Sequence, residues 1–178
     1  MTTRLRRVIY SVAATLDGYI ADPAGGVDWI PEEPTLDWAG FLDRFDTALM
    51  GRRTYEAAVR LSGDPGGATP GGLPTIVFSR TLGPQDHPGI TVTADDPATV
   101  VARLREAPGK DLWLMGGGAL FRSFLEAKLV DGVEVAVVPV VLGAGVPLLP
   151  DGAPTAHLAL ARQQTYPSGI VLLMYEIL

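Results

Sequence analysis

Three places in the sequence join an apolar run to groups that bind anions. Leu112-Trp113-Leu114-Met115 runs straight into Gly116-Gly117-Gly118, and Ala119-Leu120-Phe121 then opens an amphipathic stretch. Glycines between a strand and a helix let a phosphate approach the backbone, and the first-turn N–H groups of the helix have no intrahelical partner. Thr47-Ala48-Leu49-Met50 leads in the same way into Gly51-Arg52-Arg53-Thr54, which offers two guanidinium groups and a hydroxyl at a second helix start, with Thr54 the expected N-cap. A third apolar run ends at Ser79-Arg80-Thr81. Each junction also has a plain structural reading: close packing for the glycines, solvated surface for the arginines, a loop for Ser79. Together, three strand ends carrying anion donors suit a dinucleotide with separated phosphates.

Other chemistries are excluded by what is missing. The usual dinucleotide fingerprint fails because Phe121 occupies its third glycine position and Glu134 falls near the start of the next strand instead of its end. There is no glycine-rich loop ending in Gly-Lys-Ser/Thr and no Gly-x-Ser-x-Gly elbow. The absence of cysteine removes thiolate zinc sites and cysteine nucleophiles, while His87 and His157 stand alone, so no metal site is expected. A net charge of −6 argues against nonspecific nucleic-acid binding, which needs clustered cations. No run approaches the roughly 20 apolar residues that cross a bilayer. Arg4, Arg6 and Arg7 precede an apolar segment, but Tyr10, Ser11 and Thr15 interrupt it, so the expected location is the cytoplasm.

The elements that must position these groups follow from periodicity. Strands are expected over 7–14, 47–50, 75–79, 90–93, 112–115 and 133–141, the last rich in valine as for a strand covered on both faces. Leu36, Phe41, Leu42 and Phe45 have helical spacing, Asp96-Pro97 opens a helix to about Arg105, and the helix after the glycines buries Leu120, Phe121, Phe124 and Leu125. Two final strands meet at Pro167-Ser168-Gly169. The expected fold is an α/β domain over residues 1–178, with a mixed, mostly parallel central sheet flanked by helices and a C-terminal antiparallel hairpin. Loops 22–34 and 62–74, rich in Gly and Pro, are candidate lids.

Met50-Gly51-Arg52-Arg53-Thr54-Tyr55-Glu56, Met115-Gly116-Gly117-Gly118-Ala119-Leu120 and the segment from Pro139 through Gly143-Ala144-Gly145 to Leu148 resemble the dihydrofolate reductase superfamily. The resemblance is to its branch similar to the reductase domain of riboflavin biosynthesis, and it covers most of the chain. It implies NADPH across the carboxyl ends of the strands: Gly51, Arg52 or Arg53, and Thr54 at phosphates; Ser79, Arg80 and Thr81 near the adenosine 2′-phosphate; Gly116, Gly117, Gly118, Ala119 and Leu120 at the pyrophosphate; Ala14 and Ile20 beside the nicotinamide.

The same resemblance implies a catalytic carboxylate near the first helix. Asp37 is the nearest candidate, with Asp28 and Glu33 as alternatives, and the structural reading of Asp37 is a helix-start carboxylate. Trp29 and Trp38 offer a flat wall for a heterocycle or ordinary packing, and Trp113 reads as core. The expected activity is NADPH-dependent hydride transfer to a small heterocycle or conjugated C=O or C=N compound. A ribosylamino-pyrimidine and dihydrofolate are the two named options. A noncatalytic nucleotide-binding or assembly module on the same scaffold is the reading from another class. A homodimer through the C-terminal sheet region is expected.

Overall fold

A computed structural model describes residues 5–63 and 70–178. Arg4 and the middle of the 62–74 loop lie outside them. The chain runs β1 (Val8–Thr15), β2 (Tyr19–Ala21), α1 (Trp38–Asp43), β3 (Phe45–Gly51), α2 (Arg52–Ser62), β4 (Thr75–Phe78), β5 (Thr91–Thr93), α3 (Pro97–Arg105), β6 (Asp111–Gly116), α4 (Gly118–Glu126), β7 (Gly132–Val138), β8 (Val146–Pro147), β9 (Leu158–Thr165) and β10 (Val171–Ile177). Eight strands form one sheet in the order β5-β4-β3-β6-β1-β7-β10-β9, with the first six mutually parallel and β10 antiparallel to both its neighbours. This is the expected architecture, a mostly parallel sheet closed by an antiparallel hairpin.

β1 divides the core because its side chains alternate between the two faces. Tyr10 packs with Leu114, Phe121, Phe124 and Val133 on one face, while Ile9 packs with Phe45 and Trp113 on the other. Tyr10 stacks on Phe121 at 3.7 Å between ring centroids. At only six residues α1 is too short to persist on helix propensity. Aromatic contacts hold it instead: Trp38 stacks on Phe41 at 5.2 Å, and Phe41 meets Trp113 edge-on at 4.9 Å.

Several boundaries move from the sequence expectation for identifiable reasons. Phe45, expected on a helix face, opens β3, whose partner β6 pairs it with Asp111. Thr54 is not the N-cap of α2: that helix starts at Arg52 with Gly51 in the extended capping position. β7 stops at Val138, before Pro139, which has no N–H for a ladder. The small antiparallel pair β2–β8 was not anticipated, since strands of three and two residues leave no periodicity to read. Asp96 caps α3 as expected, accepting from the N–H groups of Ala98 and Thr99 at 2.9 and 3.1 Å.

Ion pairs fix the amino-terminal edge and the underside of the sheet. Buried Arg6 donates to the carbonyls of Lys110 and Leu104 at 2.9 and 3.0 Å and pairs with Asp46. Asp131 accepts from Val8 N–H and from Arg105, both at 2.7 Å. Glu134, buried in β7, takes both ends of the Arg44 guanidinium, one at 3.1 Å, and that guanidinium lies over the Phe45 ring at 5.1 Å.

Removing one partner of such a pair strands the other charge. Arg44 keeps some solvent contact, so Glu134→Ala is expected to cost about 2 kcal/mol, below the range for fully buried pairs. Urea unfolding with an unchanged m-value measures this, and a loss under about 0.5 kcal/mol contradicts it.

Candidate active site

β3 and β6 are neighbours, and both end in glycine. Met50 lies opposite Gly116, and a Cβ added to Gly51 would stand 3.8 Å from Gly116 O and 3.9 Å from Gly117 N. Two helices therefore begin at one spot. Neither α2, capped by Gly51, nor α4, capped by Gly117, has a side-chain hydrogen bond at its N-cap, so the first-turn N–H groups of both open onto the same ground. Gly116 has φ +110°, a conformation that side chains rarely adopt, and its peptide bond to Gly117 is cis. Gly118 has no room for a side chain, since a Cβ would lie 2.9 Å from the carbonyl oxygen of Pro147 and 3.0 Å from that of Leu148.

Of the side chains expected around the cofactor, Thr54, Ile20 and Leu120 stand beside these glycines. Thr54 Oγ1 is 3.5 Å, and Ile20 Cδ1 3.8 Å, from where a Cβ of Gly117 would stand, and Leu120 Cβ is 3.8 Å from the corresponding point at Gly51. Ala119 is exposed on the first turn of α4. Arg52 donates from Nη1 to Thr81 Oγ1 at 2.7 Å and from Nε to Glu56 at 2.6 Å, which ties the end of β3 to the turn after β4. In that turn Ser79 Oγ accepts from the N–H groups of Thr81 and Leu82 at 3.2 and 3.0 Å, so Ser79 shapes the loop. Arg53 and Arg80 are exposed, with no ion pair among the described residues.

A cavity of about 310 Å³ lies under α1, against the opposite face of β1 from Tyr10. Ser11 and Ala13 of β1, Trp113 of β6, and Ala136 and Val138 of β7 form its floor. Its walls come from Trp38 and Phe41 of α1, the preceding loop, and Tyr166, Ile170 and Leu172 of the closing hairpin. Ala14 is buried on the other face of β1, and it is Ala13 that reaches this cavity. The alternation along β1 carries that distinction, since Ala13 shares a face with Ile9 and Ser11. Of the two tryptophans expected to form a wall, Trp38 lines the cavity, as does Trp113, which is also core. A second cavity, about 360 Å³, sits at the far end of the sheet near Lys128 and His157, away from the glycine junctions.

The three candidate carboxylates occupy different settings. Asp37 is exposed and caps α1, accepting from Gly40 N–H at 2.8 Å. Asp28 is exposed. Glu33 lines the cavity and accepts from the N–H groups of Ser168 and Thr35, each at 3.0 Å. Ser168 and then the Thr35 hydroxyl hold its carboxyl down to about 2, although Ser168 Oγ reaches no well-angled partner of its own. Asp17 lies in the turn with Gly18 and accepts from Gly143 N–H at 2.7 Å, pinning the loop after β7. Thr15 and these backbone donors lower its pKa.

A mostly parallel sheet closed by an antiparallel hairpin, with two open helix starts at adjacent strand ends, is an α/β architecture shared with known reductases. Residues 6–172 match the RibD C-terminal domain family, and the chain belongs to it. The uncharacterised protein YyaP of Bacillus subtilis (strain 168) is 35% identical over 99% of this chain and 98% of its own. A crystal structure of a protein from Shewanella sp. PV-4 assigned to riboflavin biosynthesis superposes with a TM-score of 0.82 at 26% identity, covering 97% of this chain and 99% of that one. Dihydrofolate reductase from Enterococcus faecalis, solved with NADP(H), superposes with a TM-score of 0.68 at 14% identity over 96% of both chains, which shows the shared fold.

The Glu33 tether has a definite pH sign. Its folded pKa lies below the ordinary 4.5, so its stabilising share is complete above that value and is lost as pH falls through about 2. Carboxyl NMR titration of Glu33 is expected to give a midpoint near 2 in the parent protein; a midpoint near 4.5 would contradict the Ser168 tie.

Proposed function

We propose that this chain is a cytoplasmic NADPH-dependent reductase of a small heterocyclic or conjugated C=O or C=N compound, riboflavin-pathway-like or dihydrofolate-like. The observation that carries the reading is the meeting at Gly51 and Gly117 of two helix starts that have no side-chain cap. The donor set fits a dinucleotide: open N–H groups at two helix ends, Thr54 and Thr81 hydroxyls, and arginines at two strand ends. NADPH supplies the hydride when bound. In this proposal Gly51, Arg52, Arg53 and Thr54 hold one phosphate and Gly116, Gly117, Gly118, Ala119 and Leu120 the pyrophosphate. Ser79, Arg80 and Thr81 receive the 2′-phosphate. Ile20 bounds the nicotinamide end, where Ala14 backs the strand. The cavity under α1 orients the acceptor and excludes water, and Asp37, between the lining residues Leu36 and Trp38, is the proposed proton donor.

NADPH is expected to bind at least about tenfold more tightly than NADH, and Arg80→Ala to erase most of that difference, in keeping with one charge-assisted contact. Equal affinities in the parent protein would remove the 2′-phosphate assignment. Asparagine caps a helix as well as aspartate does, so Asp37→Asn leaves stability intact and isolates the proton role. Turnover is expected to fall at least about tenfold. Unchanged turnover would transfer the role away from Asp37.

A noncatalytic nucleotide-binding module remains the second reading, favoured by the structural hydrogen bonds that both Asp37 and Glu33 already make. Tight NADPH binding with no oxidation across a panel of conjugated acceptors would select it.

We also propose a homodimer through the C-terminal sheet. β9 is an edge strand of eight residues, almost wholly exposed, with Leu158 and Leu160 at 40% and 53% exposure. Such an edge favours pairing or covering. Sedimentation is expected to show a dimer that Leu160→Lys shifts to monomer, and a monomeric parent at high concentration would end the proposal.

A further inference from the structure

The second cavity, about 360 Å³, belongs to the other end of α4. That helix begins at Gly118 beside the glycine junctions, whereas Leu125 and Glu126 in its last turn, with Lys128 just beyond, line the cavity. Nine helical residues span about 14 Å, so one element serves two separate places. Val130, before β7, and Ile177, at the end of β10, add apolar surface. The segment from Pro154 to His157, which leads into β9, supplies a further wall.

Lys128 has φ +54° and is the one non-glycine residue with positive φ among the described residues. It follows the C-cap of α4, a position where glycine is the usual occupant because it has no Cβ. A lysine is not needed there to close the helix. The carbonyls of Ser123, Phe124 and Leu125 already accept from the N–H groups of Ala127, Leu129 and Lys128. Nor is its ammonium used in an ion pair among the described residues, whereas Arg6, Arg7 and Arg105 at the same end of the sheet each have one.

Glu126, the acidic side chain of the lining, accepts from Arg122 Nε at 2.7 Å. Arg122 also donates to Asp151 O at 3.0 Å, which holds the segment leading to Pro154 against the helix. With that pair neutral, one positive charge is left over. Thr155 and His157 offer further donors, and neither side chain has a hydrogen-bond partner among the described residues. The backbone beside them is committed, since Leu178 N–H donates to His157 O at 3.0 Å.

We propose that this cavity binds a small organic acid, its single carboxylate held by Lys128 with Thr155 and His157 donating, and its apolar tail laid on Leu125, Val130 and Ile177. One unspent positive charge matches one carboxylate, while a dianionic phosphate would keep a charge unbalanced. The volume is at the small end for ligand sites, which suits a short acid and not an extended peptide. No residue of the glycine junctions or of the cavity under α1 takes part, so the proposal is independent of the reductase reading.

Hexanoate, hexyl phosphate, 1-hexanol and acetate, titrated into the intact protein and followed by NMR shifts, test it. Hexanoate is expected to bind about tenfold more tightly than hexanol, which lacks the charge, and at least about tenfold more tightly than acetate, which lacks the tail. The largest shifts are expected at Lys128, His157 and Ile177, and saturating NADPH is expected to leave them in place. Lys128→Gly suits the positive φ, so it is expected to fold with an unchanged or higher Tm while losing the advantage of hexanoate over hexanol. Equal binding of hexanoate and hexanol overturns the proposal, as do shifts centred elsewhere, displacement by NADPH, or no saturation by hexanoate below about 10 mM. Tighter binding of hexyl phosphate overturns the choice of a carboxylate. An advantage of hexanoate that survives in Lys128→Gly overturns the role given to that side chain.

Discussion

Where β3 and β6 end side by side, backbone meets backbone. Gly51 lies against Gly116 and Gly117 with no side chain between them, and this contact lets α2 and α4 start from one place. At Gly116 the positive φ of 110° is the constraint, since L side chains rarely adopt it. The same economy of side chains governs the third glycine, where the backbone of Pro147 and Leu148 crosses directly over the start of α4. That crossing is the β8 end of the small β2–β8 pair, so the short sheet is anchored on the glycine run as well as on β1.

Charge is divided between the two ends of the sheet. At the amino-terminal end the cations are spent on structure: Arg6 with Asp46, Arg7 with Glu176, Arg105 with Asp131. At the carboxyl end Arg53 and Arg80 have no ion pair among the described residues, and Arg52 has one exposed partner in its own helix. A molecule of net charge −6 can thereby present local positive potential at the glycine junctions while its surface as a whole repels extended polyanions.

Sequence periodicity reveals the helix-and-strand order because the parallel strands are buried on both faces and their apolar runs are unbroken. Asp96-Pro97 and Pro167-Ser168-Gly169 act through local chemistry and are equally legible. The convergence of the three junctions is less visible, since it depends on sheet order: β3 and β4 are consecutive and adjacent, but β6, two strands further along the chain, lies on the other side of β3. Asp37 illustrates the opposite difficulty. An acidic residue at a helix start serves equally as a cap or as a proton donor by residue type alone, and the structure shows Asp37 as the cap. Glu33 draws its low pKa from Ser168, which is 135 positions away, so nothing near it in the chain signals the tie. The placement of Ala13 was available from strand alternation, whereas the cavity needed the hairpin to fold back before it existed.

That hairpin joins two regions usually considered separately. Tyr166, Ile170 and Leu172 close one side of the cavity, Ser168 holds the loop that carries Glu33, and all four belong to the β9–β10 unit whose outer strand has an open edge. A load taken up along the open β9 edge is therefore passed through one hairpin to the cavity wall and to the loop that carries Glu33.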